Sequence, residues 1–422
     1  MYQNRFFTFI KENREFRHVL LANIFNRVGD SVDTILFTWI VYSLTGSAAW
    51  SAVIFGLNQG TSVILQPLTG PFIDKYSRKR LLVLSDLIRI GLVLFLIFTY
   101  ISNTISPYEL AVITILTSAA ESVHLPAATA VVQSTLSDET YDEGAGYNVS
   151  LSRIGVLVGT AFSGFLIAFL GIFIAMLIDL ASFGISILLF AMLHENVREG
   201  AEKADRMNYI RNLREGWGYL KGTKGLLLLC AESAVLNIAV VPFDSLLAPI
   251  AAEIYHSDAR MVSILSISVT LGIMCGSFFY GKIRNKNYQL LAKGGIILGG
   301  YYCVLALLPE LHTPVWGTDV IVSVCSLFVG ISLGTMITFV QSSFIRSVPE
   351  QYIGRISAIR YSISYCLAPI ASFIIALSRS VLSVAMIFIV SGMLVIVAFA
   401  ILFLLNRSRM LQRALLNSDN DE

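Results

Sequence analysis

Twelve predominantly apolar stretches, most of about twenty residues or more, dominate what this chain can fold into. They cover 17–43, 48–71, 81–102, 107–135, 146–169, 171–193, 225–251, 259–281, 289–309, 316–342, 355–377 and 380–405. A helix of such length crosses the ~30 Å hydrocarbon core of a bilayer. Inside lipid the backbone must bond to itself, so a spanning chain is either helical or a closed barrel. With 55% hydrophobic and 14% charged residues the chain is too apolar for an ordinary soluble domain, where charged residues make up about a quarter. The expectation is an all-α membrane protein with twelve transmembrane helices.

The basic residues test that count. Twenty-five of the thirty Lys and Arg fall on one side if twelve helices alternate across the membrane, against Arg260 and Arg379 on the other. Arg27, Arg89 and Arg153 lie within spans. The positive-inside rule then puts both termini in the cytoplasm. No cleavable signal is visible in the basic, polar opening Met1–Arg17. Cys230, Cys275, Cys303, Cys325 and Cys366 all lie in apolar spans and read as small packing residues.

The longest polar interruption, His194 to Lys224, sits near the midpoint. Between Met207 and Leu220 apolar residues recur at helical spacing opposite basic ones, the pattern of an amphipathic helix lying on the inner leaflet. The expected organisation is an N-terminal six-helix bundle (1–193), a cytoplasmic linker with this helix (194–224), a C-terminal six-helix bundle (225–406) and a cytoplasmic tail (407–422). The halves echo each other. Glu139 follows the fourth span and Glu350 the tenth, 211 residues apart. Asp74-Lys75 and Gly281-Lys282 follow the second and eighth. Parallel six-helix repeats leave such traces.

Between the second and third spans lies the charged turn Gly70-Pro71-Phe72-Ile73-Asp74-Lys75-Tyr76-Ser77-Arg78-Lys79-Arg80. It resembles the major facilitator signature G-x-x-x-D-[RK]-x-G-[RK]-[RK] through Gly70, Asp74, Lys75, Arg78 and Lys79, with Ser77 in place of the second Gly. The fifth span resembles the superfamily's antiporter motif through Gly146, Gly155, Gly159 and Gly164, with Thr160 and Ser163 replacing Pro and Gly. Softer likenesses at Val28-Gly29-Asp30-Ser31, Leu44-Thr45-Gly46-Ser47, Ser85-Asp86-Leu87-Ile88-Arg89 and Gly354-Arg355 resemble the macrolide-efflux-like branch of drug:proton antiporters. The resemblance implies two six-helix bundles around a central cavity, working by alternating access. It also implies a cytoplasmic gate at Asp74, set against the start of the eleventh helix near Gly354 and Arg355. The fourth-helix Arg that usually joins such a gate is absent, since 107–135 contains no Arg or Lys. Arg89, Arg153 or Arg360 is the expected replacement.

Charges inside a bilayer are costly and usually face the bundle interior. The first span carries a polar stripe of Asn23, Asn26, Arg27, Asp30, Asp33 and Thr34. Arg27 with Asp30 is either a neutral structural pair or part of the working site; Asp86 with Arg89 repeats the spacing and reads as a structural or gating pair. In the fourth span Glu121 and His124 stand one turn apart before Pro126. A carboxyl and an imidazole can both exchange a proton near neutral pH, so this pair, with Asp30, is the expected proton-coupling site. Asn26, Asp30, Asp33, Asn58, Glu232, Asn237 and Asp244 are the expected polar cavity residues, with Phe25, Phe37, Trp39, Phe55 and Phe339 as apolar lining. Asp179 reads as a helix-start residue held by neighbouring helices. Glycine pairs Gly155/Gly159, Gly272/Gly276 and Gly330/Gly334 permit close helix approach.

The run Gly276 to Lys282 fits the opening of a phosphate-binding G-x4-G-K pattern, but Ile283 stands where Ser or Thr must ligate magnesium. It is no nucleotide site, and no cofactor is expected. The resulting expectation is proton-coupled efflux of amphiphilic, drug- or macrolide-like molecules by a functional monomer in a bacterial inner membrane. Uptake or exchange of a nutrient, siderophore or lysolipid is the rival on the same fold. A non-transporting receptor or scaffold is the rival of another class, disfavoured because it gains nothing from buried acids. No HExxH or comparable catalytic set points to an enzyme.

Overall fold

The computed structural model describes residues 2–69, 76–137, 140–193, 217–257, 259–280, 283, 289–311, 314–348 and 353–418, which contain helices and turns and no strand. Gly70, Asp74 and Lys75, and the linker up to 216, lie outside the described residues. The chain divides into two compact units, Met1–Arg211 and Asn212–Glu422.

The first unit holds α1 (Tyr2–Glu12), α2 (Arg14–Thr45), α3 (Ala48–Leu65), α4 (Arg78–Ile101), α5 (Pro107–Ser134), α6 (Tyr141–Phe165) and α7 (Gly171–Ala191). The second holds α8 (Lys224–Ser245), α9 (Ala259–Phe279), α10 (Gln289–Leu307), α11 (Val315–Ser347), α12 (Ile353–Ser378) and α13 (Val384–Ser418). Each of the twelve expected spans falls on one of α2 to α13. Nine stretches among the described residues are long and apolar enough to cross a bilayer by composition. The difference has physical causes. α6 and α7 form one continuous run, Glu143–Ala191; α2 is made too polar by its own stripe; the counted apolar part of α12 is the short Ser362–Ser378.

Local chemistry sets the helix ends. α2 stops where Gly46 takes φ +61 and donates its N–H to Tyr42 O at 2.7 Å, a left-handed cap that costs glycine little. α5 starts where Ser106 accepts the Glu109 N–H at 3.2 Å, with Pro107 at the first helical position. α1 was not foreseen in the sequence. It docks through Phe9, buried and edge-on to Phe16 at 5.7 Å and Tyr147 at 5.4 Å.

In the first unit α2 is the hub, packed against α3, α5, α6 and α7. Glycine makes the closest of these approaches possible. A Cβ on Gly159 of α6 would meet Val28 O at 2.7 Å, and one on Gly155 would meet Ile24 O at 3.0 Å. In the second unit α9 packs on α11, α10 on α13 and α8 on α12. Gly272 and Gly276 on α9 face Gly330 and Ile331 on α11, as the small-residue spacing predicts. Arg260 and Arg379, the two basic residues expected on the far side, are each neutralised, by Asp319 at 2.8 Å and by Glu253.

Candidate functional site

Polar side chains from α2, α4, α5 and α7 meet inside the first unit in three successive layers, counted from the end at which α4 begins. α4 supplies the axis. Asp86 and Arg89, one turn apart, point the same way and are both buried.

The first layer is a closed knot around Asp86. Asn26 Nδ2 donates to Asp86 Oδ1 at 2.8 Å and Ser186 Oγ to Asp86 Oδ2 at 2.6 Å. His124 Nδ1 lies 3.1 Å from Asp86 Oδ1 and 3.0 Å from Ser85 Oγ. The Ser85 hydroxyl proton is already given to Leu82 O at 2.8 Å. Asp86 only accepts, so the network assigns the proton of the ring to Nδ1. One carboxylate thus ties four helices together.

The second layer is an open competition between charges. Arg89 Nη1 donates to Asp30 Oδ1 at 2.6 Å, and Arg27 Nη1 to Asp30 Oδ2 at 3.1 Å. Glu121 waits 3.6 Å from Arg27 and 3.9 Å from Arg89, near enough for attraction and too far for a hydrogen bond. The Arg89 guanidinium lies over the Phe183 ring, 4.8 Å from its centroid. The third layer brings Asp33 of α2 to Asp179 of α7.

Several expectations are redrawn by this arrangement. Glu121 and His124 do not act on each other; the first faces the two arginines and the second the Asp86 knot. Asp86 and Arg89 do not pair with each other either, and each has partners on other helices. Asn26 is consumed by Asp86, and Asp33 is buried. Asn58 Nδ2 donates to Ser118 Oγ at 3.0 Å, joining α3 to α5. Asp179 is no helix-start residue, because α7 begins at Gly171, two turns earlier. Phe37, Phe55 and Phe339 are core residues, leaving Phe25 exposed and Trp39 half-buried among the expected lining aromatics.

The expected cavity residues of α8 do not share one face. At 100° per residue Glu232 lies well away from the face shared by Asn237 and Asp244. Glu232 is buried, Asn237 donates to Ser233 O at 2.9 Å on its own helix, and Asp244 is exposed. Arg360 donates to Ser233 Oγ at 3.1 Å and Gln341 Oε1 at 3.3 Å and stacks on Phe344. Arg153 is exposed on α6.

The charged turn is latched at both described ends. Pro126 has no N–H, which frees Ser122 O inside α5. Thr69 Oγ1, just before the turn, donates to that carbonyl at 3.2 Å. After the turn Arg78 donates to Ala130 O at 2.9 Å, near the end of α5, and Lys79 to Leu193 O at 2.6 Å, just past α7. Cations at helix C-termini are electrostatically favoured. Asp74 itself lies outside the described residues, as do the side chains of Gly354 and Arg355. Sequence reasoning missed Ser186, Ser85 and Thr69; a buried serine or threonine leaves no signal until its partner is known.

The sequence pattern of the Major Facilitator Superfamily matches residues 19–373. Macrolide efflux protein A of Streptococcus pyogenes is 25% identical over 376 residues, 87% of this chain and 90% of that protein. The multidrug efflux pump Tap of Mycobacterium bovis is 23% identical over 369 residues, 83% and 84% of the two chains. Among solved structures, a bacterial homologue of the human lysosomal transporter Spinster superposes with a TM-score of 0.69 at 13% identity, over 93% of this chain and 97% of that one. The nucleoside transporter NupG gives 0.67 at 15% identity, over 92% and 99%.

Proposed function

This chain belongs to the major facilitator superfamily, and from that premise we propose that it exports amphiphilic, drug- or macrolide-like molecules in exchange for protons. It is an integral membrane transporter. Export and substrate class are supported by the two similar efflux proteins, whose names specify a macrolide in one case and several drugs in the other. Both relatives are bacterial, which supports a bacterial inner membrane, and the uneven spread of basic residues supports cytoplasmic termini.

The observation that carries proton coupling is the second layer. Asp30 holds both Arg27 and Arg89, while Glu121 stands close to the same two cations. Protonating Asp30 cancels the charge that holds Arg89 and leaves Glu121 as its nearest carboxylate. Protonating Glu121 does the reverse. A single proton therefore decides whether α4 is tied to α2 or to α5, and a ligand that favours one tie shifts the balance. Asp30 and Glu121 are the coupling acids in this reading; His124 supports the fold beside them. The latched turn with Asp74 is the proposed gate, and alternating access supplies the movement.

The test uses purified protein in liposomes. A macrolide antibiotic accumulates when a proton gradient is imposed and stops when an ionophore collapses it. Equal uptake with and without the gradient, for macrolides and other amphiphilic drugs alike, overturns the coupling.

A further inference from the structure

The third layer plays no part in the exchange just described, yet it is the most deeply buried acid cluster of the unit. Asp33 is 4% exposed and Asp179 is fully buried. None of their four carboxyl oxygens receives a hydrogen bond from any donor among the described residues. What stands within hydrogen-bonding reach of each carboxyl is the other. Two ionised carboxylates are acceptors only and cannot bond to each other.

The packing forces this meeting. Gly29 lies one turn before Asp33 on α2, and a Cβ there would come within 3.0 Å of Phe183 Cζ and closer still to Ser182 Oγ. Ser182 and Phe183 lie one turn beyond Asp179 on α7. The absent side chain at Gly29 lets the helices close, and closing them brings the two carboxyls face to face.

Charge balance points the same way. The groups around the pair are Arg27 and Asp30 on α2, Asp86 and Arg89 on α4, and Glu121 and His124 on α5. α3 has no charged residue, and Arg153 on α6 is exposed. Five carboxyls therefore share two guanidiniums, both already drawn toward Asp30. An unscreened surplus of negative charge inside a bilayer is costly.

We propose that Asp33 and Asp179 hold one shared proton, as a carboxylic acid bonded to a carboxylate, and that this proton clamps α2 to α7. It is a second proton site, separate from Asp30 and Glu121. Loss of the proton leaves two carboxylates in contact and draws Arg89 toward them, away from Asp30, so the clamp and the second layer move together. The site deepens the proton-coupled reading and rests on it for the link to transport. The shared proton itself does not.

Infrared spectroscopy of the full-length purified protein at neutral pH tests it. In wild-type-minus-variant difference spectra the C=O stretch of one buried carboxylic acid is expected to belong to the wild type. It is expected to be lost in D33N and in D179N alike, because the asparagine amide then donates to the remaining carboxylate and no proton is needed. Isosteric amides keep the packing, and a wild-type thermal unfolding profile for each variant verifies that. A band retained in either variant overturns the proposal, as does a band that disappears when sodium replaces choline in the buffer, which marks a cation site. Flux separates the two readings. Proton-driven transport without band loss removes the pair and leaves coupling at Asp30 and Glu121; band loss in both variants without proton-driven transport removes coupling and leaves the shared proton.

Discussion

Arg89 reaches from α4 to Asp30 on α2 at 2.6 Å with its guanidinium buried against Phe183. Breaking a buried pair from one side leaves a bare charge and costs ~3–5 kcal/mol in globular proteins. Arg89→Met is therefore expected to lower the thermal unfolding temperature sharply. Adding Asp30→Asn to it is expected to recover part of that loss, since the stranded acid disappears. Additive losses in this cycle would mean that the two residues do not interact.

Glu121 and His124 are expected to separate cleanly. Glu121 makes no hydrogen bond among the described residues and comes no nearer than 3.6 Å to Arg27, so Glu121→Gln is expected to leave unfolding near the wild-type temperature while abolishing proton-driven flux. His124→Ala opens a void beside Phe190 and strips Asp86 of a donor, with an expected cost of about 1–3 kcal/mol. Thermal unfolding of the two variants in one detergent checks the order.

The α2–α6 contact depends on a missing methyl group. Gly159→Ala must push Val28 away and is expected to cost roughly 1–3 kcal/mol, the range for overpacking. Gly184→Ala on α7, where nothing lies within 4 Å of the added carbon, is the control and is expected to be neutral. Equal unfolding temperatures for both variants would count against the close approach.

The outer pair Arg260–Asp319 should matter far less than the buried one. Arg260 is 45% exposed, and such pairs contribute ~0–1 kcal/mol. Arg260→Gln is expected to unfold within about 1 kcal/mol of the wild type, as measured by the same thermal scan.

Much of this was legible in the sequence. Runs of apolar residues give twelve helices because lipid leaves the backbone no other partner, and glycines spaced by four mark helix contacts because a stripe without side chains is useful only against another helix. The polar stripe on α2 likewise pointed to Asp30, which sits between Arg27 and Arg89. The partners of those charges were not legible. Spacing along one helix joined Arg27 to Asp30 correctly, but it also joined Glu121 to His124 and Asp86 to Arg89, whose true partners sit on other helices. Periodicity reports which face a residue occupies and nothing about what faces it. Asp179 was misread for the same reason, since its place within 171–193 said nothing of Asp33 opposite it. Phe9 was missed because a short helix carrying Arg5 and Lys11 looks like a polar leader.

The central claim is that a proton on Asp30 releases Arg89 and so couples export to the gradient. Asp30→Asn imitates the protonated state permanently. In liposomes this variant is expected to exchange labelled macrolide for unlabelled macrolide at a rate near the wild type, yet to accumulate none under an imposed proton gradient. Gradient-driven accumulation at the wild-type level by Asp30→Asn would contradict the account.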